Sequence, residues 1–319
     1  MIGRRELFLA GGAATLLAAG CADPDDPAAP SPTSSPTAGA SPNGKVTVGL
    51  TYIPNVQFCA FYLGIKEGLF DGVDVEVRHH GEQEDLFGAL IRGQEQIVFA
   101  SADEAVVAGQ GLTTVATSYQ QYPVEVLFLG EATSLDDLRG KTLGIPGRFG
   151  TSYYAALVAL DSAGLTEDDV ELQDIGFTQV SAMATAKVDA IIGFANNEYV
   201  QLQLMDIPVS TVPIADPPVL VGAGLITTQE LSQDPATKAV VEGLLAAERR
   251  AIEDPQAALV ATQEFVPALA DPTQMEMAER VLEATSKLWL DDAGEVSVDV
   301  DQAAMQRMEA FLTAQGFVA

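Results

Sequence analysis

Apolar and polar positions along the chain alternate between two rhythms. Short apolar runs at Lys45–Leu50 (KVTVGL), 73–78 (VDVEVR), 97–100 (IVFA) and 114–117 read as strands, and the stretches 58–67, 85–92 and 102–109 between them carry helical spacing. That rhythm predicts a parallel sheet covered by helices. A second series opens after Gly130. Ser134 to Asp137 has the form of a capping box, 142–145 reads as a strand, and 151–163 reads as a helix ending near Gly164. Strand and helix patterns then follow at 170–175, 182–186, 190–194 and 196–205. Beyond residue 236 the pattern is almost wholly helical, with Asp234-Pro235, Asp254-Pro255 and Asp271-Pro272 each marking a helix start. The chain is therefore expected to leave one lobe, build a second and return.

The N-terminal region does not follow either rhythm. Arg4 and Arg5 precede an apolar run at 7–19 that is too short to span a bilayer stably, which reads as an export signal. Leu17-Ala18-Ala19-Gly20-Cys21 resembles the bacterial lipobox, so 1–20 is expected to be removed and Cys21 to carry lipid. Residues 22–44, rich in Pro, Ser, Thr and Ala and without an aromatic residue, extend it as a stalk covering 21–44.

Sixteen Lys and Arg against 45 Asp and Glu leave a formal charge of -29, which argues against nucleic acid and anionic lipid surfaces as partners. The two cysteines are Cys21 and Cys59; with one committed to lipid, no internal disulfide is available.

Four loops that follow predicted strands carry candidate chemistry, because open α/β sheets place their ligands there. The first, Tyr52 to Phe58, mixes aromatic rings with Asn55 and Gln57; it suits a planar hydrogen-bonding ligand, or equally a Pro54-Asn55 turn over buried rings. Ser101 opens a helix and offers either a ligand-facing hydroxyl or a simple N-cap. The glycine-rich turn 144–150, with Arg148 and Phe149 and followed by Tyr153, lets backbone approach a ligand or is a plain strand-to-helix turn. It lacks the spacing of a dinucleotide or P-loop motif. Asn196-Asn197-Glu198 sets a carboxylate beside two amides, either to meet a ligand N–H or to cap a helix, and both roles are compatible.

Catalytic patterns are poor. His79 and His80 are the only histidines and sit adjacent at a strand end, so their side chains point to opposite faces; surface or edge packing is their expected role. No catalytic residue, metal ligand set or cofactor motif stands out.

Together the loops resemble the solute-binding proteins of ABC importers, specifically the family that takes up thiamine pyrimidine precursors, riboflavin and, in more distant branches, taurine, other sulfonates and nitrate. Residues 52–58 with Phe61-Tyr62 and 66–70 (KEGLF) resemble the family's first motif, 144–154 its second-lobe ligand loop, and 188–193 with Asn196-Asn197-Glu198 the segment that places an acidic contact in the cleft. The similarity covers most of 45 to about 226. The chain departs at Tyr199, where Pro often follows the Asn-Asn-Glu segment, and at Cys59-Ala60, where a small residue plus Pro is common.

The resemblance implies a two-lobed type II periplasmic-binding-protein fold, α/β, each lobe a mostly parallel sheet flanked by helices. Lobe I is expected at 45–128 plus 226–319 and lobe II at 129–225, with crossings near 126–130 and 219–227. Ligand would lie between the lobes, walled by Tyr52, Phe58 and Tyr153 and read by Asn55, Gln57 and Glu198, with Ser101, Arg148, Phe149 and Asn197 completing the set. The implied function is extracytoplasmic capture of a heteroaromatic vitamin or precursor by a monomer tethered to the membrane only through Cys21. Delivery would be to an ABC permease with its ATPase, with no covalent chemistry, cofactor or metal. A sulfonate or nitrate carrier relying on Arg148 and helix N-termini instead of Glu198 is the alternative. A pyrimidine synthase on the same fold is more remote, since the cysteine-rich segment of that enzyme is missing.

Overall fold

The computed structural model describes residues 44–81, 85–109 and 111–318; the leader, Cys21 and the stalk through residue 43 lie outside the described residues. The first βα series gives β1 (Lys45–Leu50), α1 (Cys59–Glu67), β2 (Asp74–His79), α2 (Leu86–Ile91), β3 (Ile97–Ser101), α3 (Ala102–Ala108) and β4 (Leu112–Thr117). The second gives β5 (Val124–Leu129), β6 (Thr142–Ile145), α4 (Gly150–Ser162), β7 (Glu171–Asp174), α5 (Gln179–Ala184), β8 (Ala190–Phe194), α6 (Glu198–Leu204) and β9 (Val209–Pro213). After β10 (Ala223–Thr228) the chain finishes as α7 (Pro235–Glu253), α8 (Pro255–Phe265), α9 (Pro272–Leu288) and α10 (Gln302–Ala314).

Two five-stranded sheets result, ordered β2-β1-β3-β10-β4 and β7-β6-β8-β5-β9. In each, four strands share one direction and a single strand is reversed: β10 runs antiparallel to β3 and β4, and β5 antiparallel to β8 and β9. β3 is buried along its whole length, as a strand covered on both faces must be.

The reversed strands correct the sequence reading. Residues 126–130 and 219–227 were expected as crossing segments, yet β5 and β10 occupy most of them and the chain passes between sheets at 118–123 and 214–222. Each arrives from the other lobe, so it enters its sheet from the opposite end and pairs antiparallel. Residues 124–128 therefore join the second sheet and 223–225 the first, which moves both expected lobe boundaries by a few residues.

The three Asp-Pro helix starts form as expected. Asp234, Asp254 and Asp271 each accept a backbone N–H of the following turn, at 2.8 Å from Ala236, 3.1 Å from Ala257 and 2.9 Å from Thr273, with Pro in the first turn. The resulting helices α7, α8 and α9 close the first core around Trp289, Leu244 and Val281.

The C-terminal helix behaves otherwise. Met308 and Leu312 of α10 are wholly buried in the second core with Leu143, Tyr154 and Leu160, and Phe317 meets Tyr154 edge-on at 5.2 Å. α10 was expected with the first lobe, but its apolar stripe packs on α3 and into the second core. Leu312→Ala is expected to lower stability by about 2–5 kcal/mol through loss of buried contacts and an unfilled cavity. Denaturant unfolding measures it, and a change under 0.5 kcal/mol would contradict this packing.

Candidate functional site

The loops at the C-terminal ends of β1, β2, β3, β6, β7 and β8 converge on one cleft between the two sheets, with a cavity of about 390 Å³. Its apolar walls include Tyr52, Phe58, Phe99, Phe177 and Phe194, and its polar atoms come from Gln57, Ser101, Glu104, Asn197 and Glu198. Among the described lining residues none is Lys or Arg.

The first loop is set by a histidine. A carbonyl can only accept, so His79 Nδ1–H donates to the Tyr52 carbonyl at 2.7 Å, and Nε2 is left to accept from the Tyr62 hydroxyl at 2.8 Å. Burial depresses the imidazole's pKa, which favours this neutral tautomer. Tyr62 in turn stacks on Phe265 with centroids 4.1 Å apart. So anchored, the loop turns Tyr52 edge-on to Phe177 of the second lobe at 4.6 Å, and Phe58 edge-on to Phe99 at 6.0 Å. Of the surface or edge packing expected for the histidines, the edge position holds, since β2 is the outermost strand of its sheet, but His80 is buried and bonds the wholly buried Glu95 at 2.6 Å.

Glu198 is a buried polar group of the cleft with both carboxyl oxygens bonded. One of its oxygens accepts the Phe194 N–H at 2.8 Å and the other the Asn197 side-chain amide at 2.9 Å, while Asn197 accepts from Gln201 at 2.8 Å. Burial raises the Glu198 carboxyl, opposed by the bond from the Phe194 N–H.

The structure brings Tyr52, Gln57, Phe58, Ser101, Phe149, Asn197 and Glu198 together along the cleft and leaves out three expected residues. Asn55 is spent on its own turn, accepting the Gln57 N–H at 2.8 Å. Arg148 points away from the cleft to an ion pair with Glu167, and Tyr153 donates to the same carboxylate at 2.9 Å. Phe149, next in the turn, takes the cleft side at half exposure, so the alternation of the turn sends Arg148 the other way. Two cap assignments also change. Ser101 makes no side-chain cap bond, and Asn196 is tied across to Thr285 of α9 at 2.9 Å while Asn197 takes the cap position.

Several lining residues escaped the sequence reading, among them Tyr119, Phe177 and Glu104. Tyr119 and Phe177 lie in connections without a motif; Glu104 stood in the loop singled out for Ser101. Cys59 is wholly buried at the start of α1, and burial pushes its thiol up to about 12, so it is an inert core residue.

A cleft between two α/β lobes, lined by strand-end loops, is the architecture of bilobal binding proteins, and solved structures agree. The periplasmic aliphatic sulphonate binding protein SsuA from Escherichia coli superposes with a TM-score of 0.66 over 87% of this chain and 94% of its own, at 14% identity, a likeness of fold alone. Residues 55–258 match the family model described as NMT1/THI5 like. Riboflavin-binding protein RibY of Chloroflexus aurantiacus is 33% identical over 82% of this chain and 79% of its own length. The formylaminopyrimidine-binding protein of Halalkalibacterium halodurans is 26% identical over 48% of this chain and 49% of its own. The chain belongs to the NMT1/THI5-like family.

His79→Phe keeps a ring but strands the Tyr52 carbonyl and Tyr62 hydroxyl, and is expected to cost about 1–3 kcal/mol at pH 7.5. Because the folded imidazole has a depressed pKa, the unfolded chain binds more protons as pH falls below 6.5, so the wild type loses this advantage there. Denaturant unfolding at pH 7.5 and pH 5 should show the gap narrowing; a gap that widens at pH 5 would contradict the neutral anchor.

Proposed function

We propose that this chain is the extracytoplasmic solute-binding component of an ABC importer, capturing a heteroaromatic vitamin or vitamin precursor between its lobes. The observation that carries the reading is the lining of the cleft: aromatic walls around an oriented, buried Glu198, with no Lys or Arg among the described lining residues. Rings supply stacking surface, and a carboxyl among them accepts ring or amino N–H groups. The names of the relatives, riboflavin-binding and formylaminopyrimidine-binding, agree with that chemistry. A cavity of about 390 Å³ falls within the ~300–1,000 Å³ that enclose drug-sized ligands, which favours a fused ring system of riboflavin size over a lone pyrimidine.

The sulfonate or nitrate alternative loses its main support because Arg148 is paired outside the cleft. A desolvated carboxyl beside an anion would repel it. The reading includes binding without turnover, a monomeric chain, a permease with its own ATPase as partner, and attachment through lipid on Cys21. No helix among the described residues is long and apolar enough to cross a membrane. The lobes are taken as the two sheets with their covering helices, each able to move about the crossings at 118–123 and 214–222.

Calorimetric titration with riboflavin, an aminopyrimidine precursor, taurine and nitrate tests the class. Riboflavin is expected to bind, Glu198→Gln to weaken it about tenfold or more, equivalent to ~1.4 kcal/mol, and Arg148→Ala to leave it within about twofold. Binding of taurine or nitrate with a large loss in Arg148→Ala would overturn the reading in favour of an anion carrier. Steady-state product formation would overturn it in favour of an enzyme. For attachment, Cys21→Ser is expected to abolish lipid labelling and membrane retention in cells; a variant that stays lipid-modified would contradict the anchor.

A further inference from the structure

α3 and α4 face each other across the junction of the lobes, one leaving the first sheet and the other entering the second. Gly150, with φ +67°, opens α4 so tightly against α3 that an added Cβ would lie 3.2 Å from Glu104 Oε2. One residue on, Thr151 Oγ1 lies 3.1 Å from Asp103 Oδ1 and 3.2 Å from Glu104 Oε1. Asp103 is wholly buried; its Oδ1 also accepts the Glu104 N–H at 2.7 Å, and its Oδ2 has no partner.

A hydroxyl carries one proton. Thr151 can therefore donate to only one of the two carboxyls, and towards the other it presents lone pairs. The second contact is a hydrogen bond only if that carboxyl is itself protonated and donates to Oγ1. Among the described residues no cation bears on the pair. β3, β4 and β10, which pack on α3, bring no titratable side chain. α4 brings Tyr154 and the crossing segment brings Tyr122, whose buried hydroxyl has no partner. On α10, Arg307 lines an outer groove with Pro217, and Glu309 lies on an outer surface with Gln306 and Thr313.

We propose that Asp103 and Glu104 are positioning residues of the cleft that share a single proton with Thr151 across the lobe junction, so that losing this proton loosens the junction and weakens ligand binding. The part concerning ligand rests on the binding-protein reading above. Burial first, and then the neighbouring Glu104 charge, raise Asp103, while burial lifts Glu104 to about 7. The titration belongs to the pair rather than to either residue. With the lobes apart the carboxyls meet water and return toward their ordinary range, so the closed junction holds its proton to higher pH than the open one. Closure is therefore favoured at acid pH and is lost progressively as pH rises through the range in which the closed pair gives up that proton, by at most about tenfold per pH unit for one proton.

Two measurements need no ligand. In the carboxyl ¹³C spectrum of the full chain, assigned with Glu104→Gln and Asp103→Asn, one step of the pair is expected near pH 7. Small-angle scattering is expected to show the wild type expanding from pH 5 to pH 8, and Thr151→Ser doing the same. Glu104→Gln, which donates an N–H without a titrating proton, is expected to be insensitive. Carboxyls that both titrate below pH 5, or an equal expansion in Glu104→Gln, would overturn the shared proton. Riboflavin fluorescence quenching then reads the coupling: affinity falls at least tenfold from pH 5 to pH 8 in the wild type and measurably less in Glu104→Gln. Equal slopes in the two proteins would overturn the coupling. Absence of riboflavin binding at every pH would instead count against the proposed ligand class, with the scattering and ¹³C results still deciding the shared proton.

Discussion

The architecture depends on two strands that run against their neighbours. β5 and β10 cross from one lobe into the sheet of the other, and their antiparallel pairing fixes each sheet relative to the crossing segments. Because the remaining strands of each sheet share a direction, their C-terminal loops all open on the same side, and the two sets meet at one cleft. The rest of the site follows from what those loops carry. α9 and α10 brace the joint from outside: Thr285 holds Asn196, and Met308 with Leu312 fill the second core.

Within the cleft, the governing physics is burial of carboxyls without cations. Charge taken out of water is costly unless hydrogen-bond donors replace the hydration, and the carboxyl responds by holding its proton more tightly. Glu198 meets this with a backbone N–H and an amide; Asp103 and Glu104 have backbone N–H groups, that of Ser101 on Glu104 among them, and share one hydroxyl. The first arrangement holds the carboxyl in one orientation. The second ties the lobes together only while a proton is present. His79, kept neutral by burial, anchors the aromatic wall opposite and adds no charge to this balance.

Much of the fold was legible in the chain because apolar periodicity and Asp-Pro caps are local signals. β1, β3, β6 and β8 are short apolar runs followed by helical spacing, and α7, α8 and α9 announce themselves by their first two residues. β5 and β10 were read as connections; only pairing with distant strands makes them part of a sheet. The same limit applies to the site. Tyr52, Gln57, Phe58 and Glu198 sit in loops whose composition stands out, so they could be found. Arg148 looked available because Glu167, its partner 19 residues on, belongs to a different element. Glu104 became conspicuous only when α4 placed Thr151 beside it, and Phe177 only when the second lobe set it against Tyr52.

A crystal structure of the chain grown with riboflavin tests the central claim most directly. The account predicts the fused ring between the lobes, in contact with Tyr52, Phe58 and Phe177, with a ring or amide N–H donating to Glu198 at about 2.7–2.9 Å. Riboflavin bound elsewhere, such as the outer groove beside Pro217 and Arg307, with the cleft empty, would contradict it.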